Sequence, residues 1–376
     1  MIPINVPIIG EEEIRLVLEV LKSGVLTSRA GSGSMVAKFE EEFAKFVGAK
    51  YAVAANSGTA ALHMALLAAG IGPGDDVLVP SFTFVATAEA VVLAGARPIF
   101  VDIEPETYCI DPTKLEDALT EKTKAIIPVD LYGLPADLKP ILDFAEEHDL
   151  TVIEDAAQAH GAEYNNRKVG SVSHMTCFSF YPSKNMTTGE GGMVTTNVEE
   201  YAEKLRAIRS HGEKGDTYYS VMVGHNYRMP EIPAAIGLAQ LKKLPKFLQK
   251  RRENAKALTK GLEQLEPSLV RLPKEPRGRR HSWYLYTIRL PWAKAEERNR
   301  VIQRLRSEGI AATTYYQTPI HKMPPYKKYP SKNLKETEKA AQQVLSLPTH
   351  PALNKEQLNH IAKATKEAIK NISYPK

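Results

Sequence analysis

Cysteine is scarce in this chain, with two in 376 residues. Cys109 and Cys177 cannot build a disulfide framework, and Cys177 sits in a stretch that reads as a buried strand, so a reducing compartment fits. Long apolar runs are also missing, and none reaches the length needed to span a bilayer. The opening residues, Met1-Ile-Pro-Ile-Asn-Val-Pro-Ile8, lack the basic start, apolar middle and small-residue cleavage site of a secretory signal. A cytoplasmic protein is therefore expected. Nor is there an excess of one charge: 49 Lys and Arg against 44 Asp and Glu leave a net +5. That mild balance suits anionic substrates such as phosphates or nucleotides. A nucleic-acid binder shows a basic stripe, which only Arg277-Gly-Arg-Arg280 and Lys250-Arg-Arg252 approach, and both read as solvated loop or helix faces. Neither nucleic acid nor a metal is expected as a partner.

What is present is an ordinary globular composition, 43% hydrophobic and 25% charged, in a chain long enough for two domains. Strand-like runs alternate with helix-like ones: Tyr51–Ala55, Val77–Pro80, Ile99–Asp102, Ala125–Val129 and Thr151–Glu154, with helical spacing between them. This alternation predicts an α/β fold with a mainly parallel sheet covered on both faces. Earlier, Glu11–Lys22 places Ile14, Val17, Leu18 and Leu21 on one helical face, and a Gly and Ser-rich loop spans Ser28–Ser34. Val36, Phe39, Phe43 and Phe46 recur at helical spacing and read as core. Past Thr196 a helix is expected over Glu199–Arg209, a loop over His211–Val223 and a helix over Ile232–Leu241. A separate basic amphipathic helix over Lys243–Leu262 reads as the connector to a smaller α/β lobe with strands Ser282–Leu290 and Ala312–Tyr316.

The chemistry concentrates in Phe178-Ser-Phe-Tyr-Pro-Ser-Lys-Asn-Met-Thr-Thr-Gly-Glu-Gly-Gly192, where Lys184 lies between an apolar strand and a glycine-rich turn. A lysine amine attacks a carbonyl only when neutral, and burial or a nearby cation disfavours the ammonium form. Most lysines are solvated surface charges, so this stretch alone does not decide. A second one, Thr151-Val-Ile-Glu-Asp-Ala-Ala-Gln158, places Asp155 just past the end of a strand, where open α/β sheets collect ligand groups. Its carboxylate suits either a helix cap or a partner for a protonated ring nitrogen. Asn56-Ser-Gly-Thr-Ala60 feeds a helix N-terminus, a natural anion site that marks Ser57, Gly58 and Thr59; the same turn equally suits an N-cap by Ser57 or Thr59. Of Phe82 and Phe84, one packs in the core while the other offers its ring to a ligand.

The pair Glu154-Asp-Ala-Ala-Gln-Ala-His160 and Ser179-Phe-Tyr-Pro-Ser-Lys-Asn-Met-Thr-Thr-Gly-Glu-Gly-Gly192 resembles the DegT/DnrJ/EryC1/StrS family of pyridoxal 5'-phosphate (PLP)-dependent sugar aminotransferases. The resemblance runs from Pro7-Ile-Ile-Gly10 to Leu347-Pro-Thr-His-Pro351. It implies the aspartate aminotransferase fold, fold type I, with a large PLP-binding domain over residues 1–242 and a small C-terminal domain over 243–376. It implies Lys184 as the Schiff-base lysine, Asp155 on the ring nitrogen, Phe84 on the ring face and Gln158 near the phenolic oxygen. Ser57, Gly58, Thr59 and Ser179 would hold the phosphate, together with Asn226 reaching across a homodimer into the neighbour's site. Tyr315 and His321, beside a Pro-rich loop, are the candidate substrate contacts, and His160 reads as a packed histidine. Some members carry histidine in place of the lysine and are dehydratases; Lys184 favours transamination. The implied substrates are a 4-keto or 3-keto nucleotide-linked deoxysugar and an amino acid donor, glutamate. The rival readings are a PLP-binding regulator and another PLP reaction on the same fold.

Overall fold

In a computed structural model the described residues are 1–27, 33–214 and 218–373. The expected Ser28–Ser34 loop therefore lies largely outside them. Seven strands form the central sheet, in the order Tyr51–Ala55, Gly192–Thr196, Met175–Ser179, Thr151–Asp155, Thr123–Ile126, Asp76–Pro80 and Arg97–Val101. Only Gly192–Thr196 runs against its neighbours. The expected mainly parallel sheet is what the chain forms, and its composition explains why. Strands such as Asp76–Pro80, with Val77, Leu78 and Val79 fully buried, have no polar face to give to solvent and need helices on both sides. The helix Gly58–Ala68 answers that need by being apolar nearly all round and buried.

Helix Ser34–Val47 packs Phe39 and Phe43 on Phe178 and Phe180, the strand that leads to Lys184, with ring centroids 5.0–5.5 Å apart. The aromatics expected to be core are core, Phe46 being half-buried at the edge. A second apolar core lies where Tyr286–Arg289 pairs antiparallel with Val344–Leu347 beneath the helices Ala295–Ser307 and Lys355–Ser373.

Four expectations change. Ile232–Leu241 and Lys243–Leu262 are one helix, Glu231–Leu262, with Pro245 inside it. A proline removes one helical hydrogen bond, but Ala239, Leu241 and Leu244 before it and Arg251, Ala255 and Leu258 after it are all buried, and that packing carries the helix through. The strand expected over Ser282–Leu290 begins only at Tyr286, because 282–285 leaves the sheet to bond Gly133 and Tyr132: Ser282 N–H donates to the Gly133 carbonyl and Leu285 N–H to that of Tyr132. Ala312–Tyr316 is no strand beyond a single bridge from Thr313 to Ser346. Its tyrosines are drawn instead toward the ends of the parallel strands. Finally, the basic runs are not solvated throughout. Arg251 is buried and donates to the carbonyls of Trp283 and Tyr284 and to Asn5 Oδ1. Arg279 is buried too, donating to the Pro135 carbonyl and pairing with Glu104 at 3.1 Å. Both serve as internal struts.

Candidate active site

A cavity of about 780 Å³ opens at the C-terminal ends of the parallel strands, where an open α/β sheet places its ligand groups. It gathers residues distant in sequence: the turn Asn56–Thr59, Thr83 and Phe84 after the strand Asp76–Pro80, Asp155 and Gln158, and Ser179 to Lys184. From the C-terminal half come Tyr284, Tyr315 and Tyr316. Lys184 leaves the turn after Met175–Ser179 with its N–H bonded to the Tyr181 carbonyl at 2.9 Å. Its Nζ stands 4.9 Å from the centroid of the Tyr284 ring.

Asp155 closes the strand Thr151–Asp155 and is only 5% exposed. Its Oδ2 accepts from the Thr87 hydroxyl at 2.8 Å and its Oδ1 from the Ala157 N–H at 3.1 Å. Burial pushes its pKa above the ordinary carboxylate value, while Thr87, Ala157 and the Lys184 charge pull it back. A ligand cation at this spot would complete the carboxylate's partners. Gln158 is fixed at both ends of its amide: Oε1 accepts the Tyr132 N–H at 2.8 Å, and Nε2 donates to the Tyr316 hydroxyl at 3.1 Å.

The turn before helix Gly58–Ala68 shows the N-cap and leaves the anion reading open beside it. Ser57 Oγ accepts the Ala60 N–H at 3.1 Å and so caps the helix. The Ser57 carbonyl takes the Ala61 N–H, which leaves the N–H groups of Gly58 and Thr59 without an acceptor inside the helix, at the cavity edge. There is no room for a side chain at Gly58, where a Cβ would come within 2.7 Å of Ser179 Cβ. The helix start and the end of the lysine strand therefore lie backbone to backbone, as an anion cradle requires.

Phe82 is fully buried against Tyr108, whereas Phe84 is 54% exposed on the cavity wall, its ring 6.1 Å from that of Tyr316. Tyr315 also lines the cavity. Two expected residues do not. The His321 ring is held between Ser81 Oγ, 2.7 Å from Nδ1, and Glu338 Oε1, 3.3 Å from Nε2, outside the cavity wall. Asn226 is exposed, and its carbonyl accepts from Asn56 Nδ2 at 3.4 Å while its side chain takes no part in the lining. His160 is wedged between Phe178 and Phe180, and burial pushes its pKa down to about 3, as befits a packed neutral ring. Sequence reasoning missed Thr87, Tyr132, Tyr284 and Tyr316 as parts of this arrangement. Only Tyr316 had a signal, its place beside Tyr315 before the Pro-rich loop.

PLP fits this donor set: a phosphate for the N–H groups at Gly58 and Thr59, a protonated ring nitrogen for Asp155 and an aldehyde within reach of an amine. The fold that carries the cavity is that of the PLP-dependent fold type I transferases. The model of the DegT/DnrJ/EryC1/StrS aminotransferase family matches residues 7–366, and the chain belongs to that family as a PLP-dependent aminotransferase. It is 43% identical over 360 residues to a pleiotropic regulatory protein of Geobacillus stearothermophilus, covering 95% of each chain. It is 40% identical over 369 residues to a GDP-perosamine synthase of Caulobacter vibrioides, covering 98% of each. Among solved structures it superposes on the PLP form of a putative sugar aminotransferase of Streptococcus pneumoniae with a TM-score of 0.92, at 30% identity over 99% of both chains.

Thr87 offers a direct test of the carboxylate. In Thr87→Val, Asp155 loses a donor, its pKa rises, and the acid-side loss of cofactor retention is expected to move up by roughly one pH unit. The check is a pH titration of retained cofactor absorbance. An unmoved acid limb would show that Thr87 does not support the charge on Asp155.

Proposed function

We propose that this aminotransferase moves an amino group from glutamate to the keto group of a nucleotide-linked 4-keto or 3-keto deoxysugar. The observation that carries the reading is the size and lining of the cavity: about 780 Å³, bringing Lys184 and Asp155 together with the aromatic rings of Phe84, Tyr181 and Tyr315. A lining of that kind suits a substrate larger than an amino acid, because sugar and base faces pack on aromatic rings. The relative named a GDP-perosamine synthase supports a nucleotide-sugar substrate.

Bound PLP would supply the carbonyl that receives the amino group and an electron sink for the bond that breaks. The chain's own residues do the rest. The Gly58 and Thr59 N–H groups, with the Ser57 and Ser179 hydroxyls, hold the phosphate at the helix start. Asp155 would pair with a protonated ring nitrogen, Phe84 would lie against the ring, and the amide of Gln158, fixed by Tyr132 and Tyr316, would meet the phenolic oxygen. Lys184 Nζ takes the proton from the donor's α-carbon and, in the reverse half, gives one to the carbon bearing the new amine. One amine serves both halves, so 2-oxoglutarate leaves before the sugar binds and the kinetics are ping-pong.

The chain works as a homodimer in this reading, divided into a large unit over 1–242 and a small one over 243–376, in the cytoplasm. Asn226 is exposed and does not line its own cavity although its backbone touches Asn56, an arrangement that suits a contact with the partner's phosphate. The exposed apolar face of helix Glu11–Ser23, with Ile14, Leu18 and Leu21, supports a partner as well. A regulatory role, suggested by the Geobacillus relative's name, would leave the lysine and carboxylate without work.

Incubation with glutamate and a panel of nucleotide keto-sugars is expected to give 2-oxoglutarate and a sugar product carrying an amine, read by mass spectrometry. Loss of keto-sugar without an aminated product would overturn transamination, and no conversion of any sugar would favour the regulator. Lys184→Ala and Asn226→Ala, each weak alone, are expected to recover activity when mixed, since a hybrid dimer rebuilds one complete site. No recovery would show that the sites are not shared.

A further inference from the structure

The strand Thr151–Asp155 ends in two successive carboxyl groups, and only Asp155 faces the cavity. Glu154 is turned to the other face of the sheet and is fully buried. Its Oε2 accepts from the hydroxyls of Thr176 at 2.8 Å and Ser173 at 3.0 Å, but its Oε1 receives no N–H or hydroxyl hydrogen from these neighbours. Asp130, on the adjoining segment, is equally buried; Oδ1 accepts the Ala136 N–H at 2.9 Å and Oδ2 is left over in the same way. The segments that carry them are laced together, Val129 bridging to Asp155 and the Asp130 N–H donating to the Asp155 carbonyl at 3.0 Å, so each carboxyl group feels the charge of the other. Two bare carboxylate oxygens on adjoining segments of a dry core are an untenable arrangement, since an unpaired buried charge costs several kcal/mol and a like charge drives one partner to take up a proton.

We propose that Asp130 and Glu154 hold a single proton between them, seated on Asp130 and donated to Glu154 Oε1, and that this bond positions the active-site segment that orients Gln158. Burial, with the Glu154 charge added to it, pushes Asp130 well above the ordinary carboxylate value. Glu154 accepts two hydroxyl hydrogens, from Thr176 and Ser173, where Asp130 accepts the single Ala136 N–H, and the better-supported charge on Glu154 places the proton on Asp130. The other titratable groups that face the pair are Asp155 on the same strand, Cys177 on the next and Cys109 below the 130–134 turn. Burial keeps both thiols neutral, Cys109 being pushed up to about 11. Arg279, beyond Cys109, is committed to Glu104.

What the bond pins is the stretch just past the end of strand Thr123–Ile126. Asp130 N–H donates to the Asp155 carbonyl at 3.0 Å, and Asp155 N–H to that of Pro128 at 2.8 Å. Two residues on, Tyr132, in a left-handed conformation at φ 60°, gives its N–H to Gln158 and its hydroxyl to the Tyr315 carbonyl. Gln158 continues the chain to Tyr316. Asp130 and Glu154 are thus positioning residues for Gln158 and the tyrosine wall. The functional consequence rests on Gln158 acting at the cofactor as proposed above; the shared proton does not.

The test uses the holoenzyme and its apo form. The infrared difference between wild type and Asp130→Asn at neutral pH is expected to contain the carbonyl band of a protonated carboxylic acid, with or without cofactor. Its absence would overturn the proposal while leaving the aminotransferase reading intact. Asp130→Asn puts an N–H where the proton sat, so cofactor retention is expected within about twofold of wild type, whereas Asp130→Ala is expected to release cofactor about tenfold more readily. Because the folded-state value of Asp130 is raised, wild-type stability relative to Asp130→Asn is expected to fall as pH climbs from about 4 toward that raised value. Parallel stability curves, or an Asn variant as leaky as the Ala variant, would contradict the assignment. If Asp130→Ala does not fold, Glu154→Gln decides: it keeps a donor toward Asp130 and is expected to hold cofactor and lose the band, and a retained band would overturn the proposal.

Discussion

A carboxylate that has to stay charged away from water sets the terms for everything around it. Asp155 can pair with a protonated ring only while ionised, yet burial pushes its pKa the other way. The fold answers with two donors and a charge: the hydroxyl of Thr87, the N–H of Ala157 just beyond the strand end, and the positive field of Lys184. The neighbouring acids cannot add their charge without undoing this, and a proton held between Asp130 and Glu154 keeps the strand end from carrying three negative groups. The parallel sheet is what brings these elements to one edge.

The same economy governs the anion end of the cavity. Helix Gly58–Ala68 must approach the lysine strand so closely that no Cβ fits at Gly58, and Gly192 is similarly closed, a Cβ there meeting the Ser57 carbonyl at 2.1 Å. Ser57 Oγ accepts the Ala60 N–H as the helix cap and keeps its own hydrogen, while the N–H groups of Gly58 and Thr59 have no acceptor inside the helix they begin. The cap leaves room for an anion at the same turn, so the two readings of that turn are compatible.

How much of this was legible varied with how local the cause is. Strand and helix alternation follows from short-range periodicity, and it gave the α/β fold and the central sheet. Lys184, Asp155, Ser57 and Gly58 stand at strand ends and turns that punctuate the chain, so their neighbours announce them. Tyr284 had no such mark and Tyr316 only its place beside Tyr315: each reaches the cavity because a stretch that looks like a strand leaves the sheet to bond the Gly133 turn or Gln158. Arg251 and Arg279 looked solvated because charge runs usually are, yet both are buried and donate to carbonyls more than 30 residues away. His321 looked like a substrate contact from its loop, while Ser81 and Glu338, far off in sequence, hold it elsewhere.

The central claim is that the amine of Lys184 is the point where the cofactor's aldehyde is held. Borohydride reduction of the holoenzyme followed by peptide mapping tests it most directly. The account predicts a single pyridoxyl group on the peptide containing Lys184; a tag on another lysine, or none at all, would contradict it.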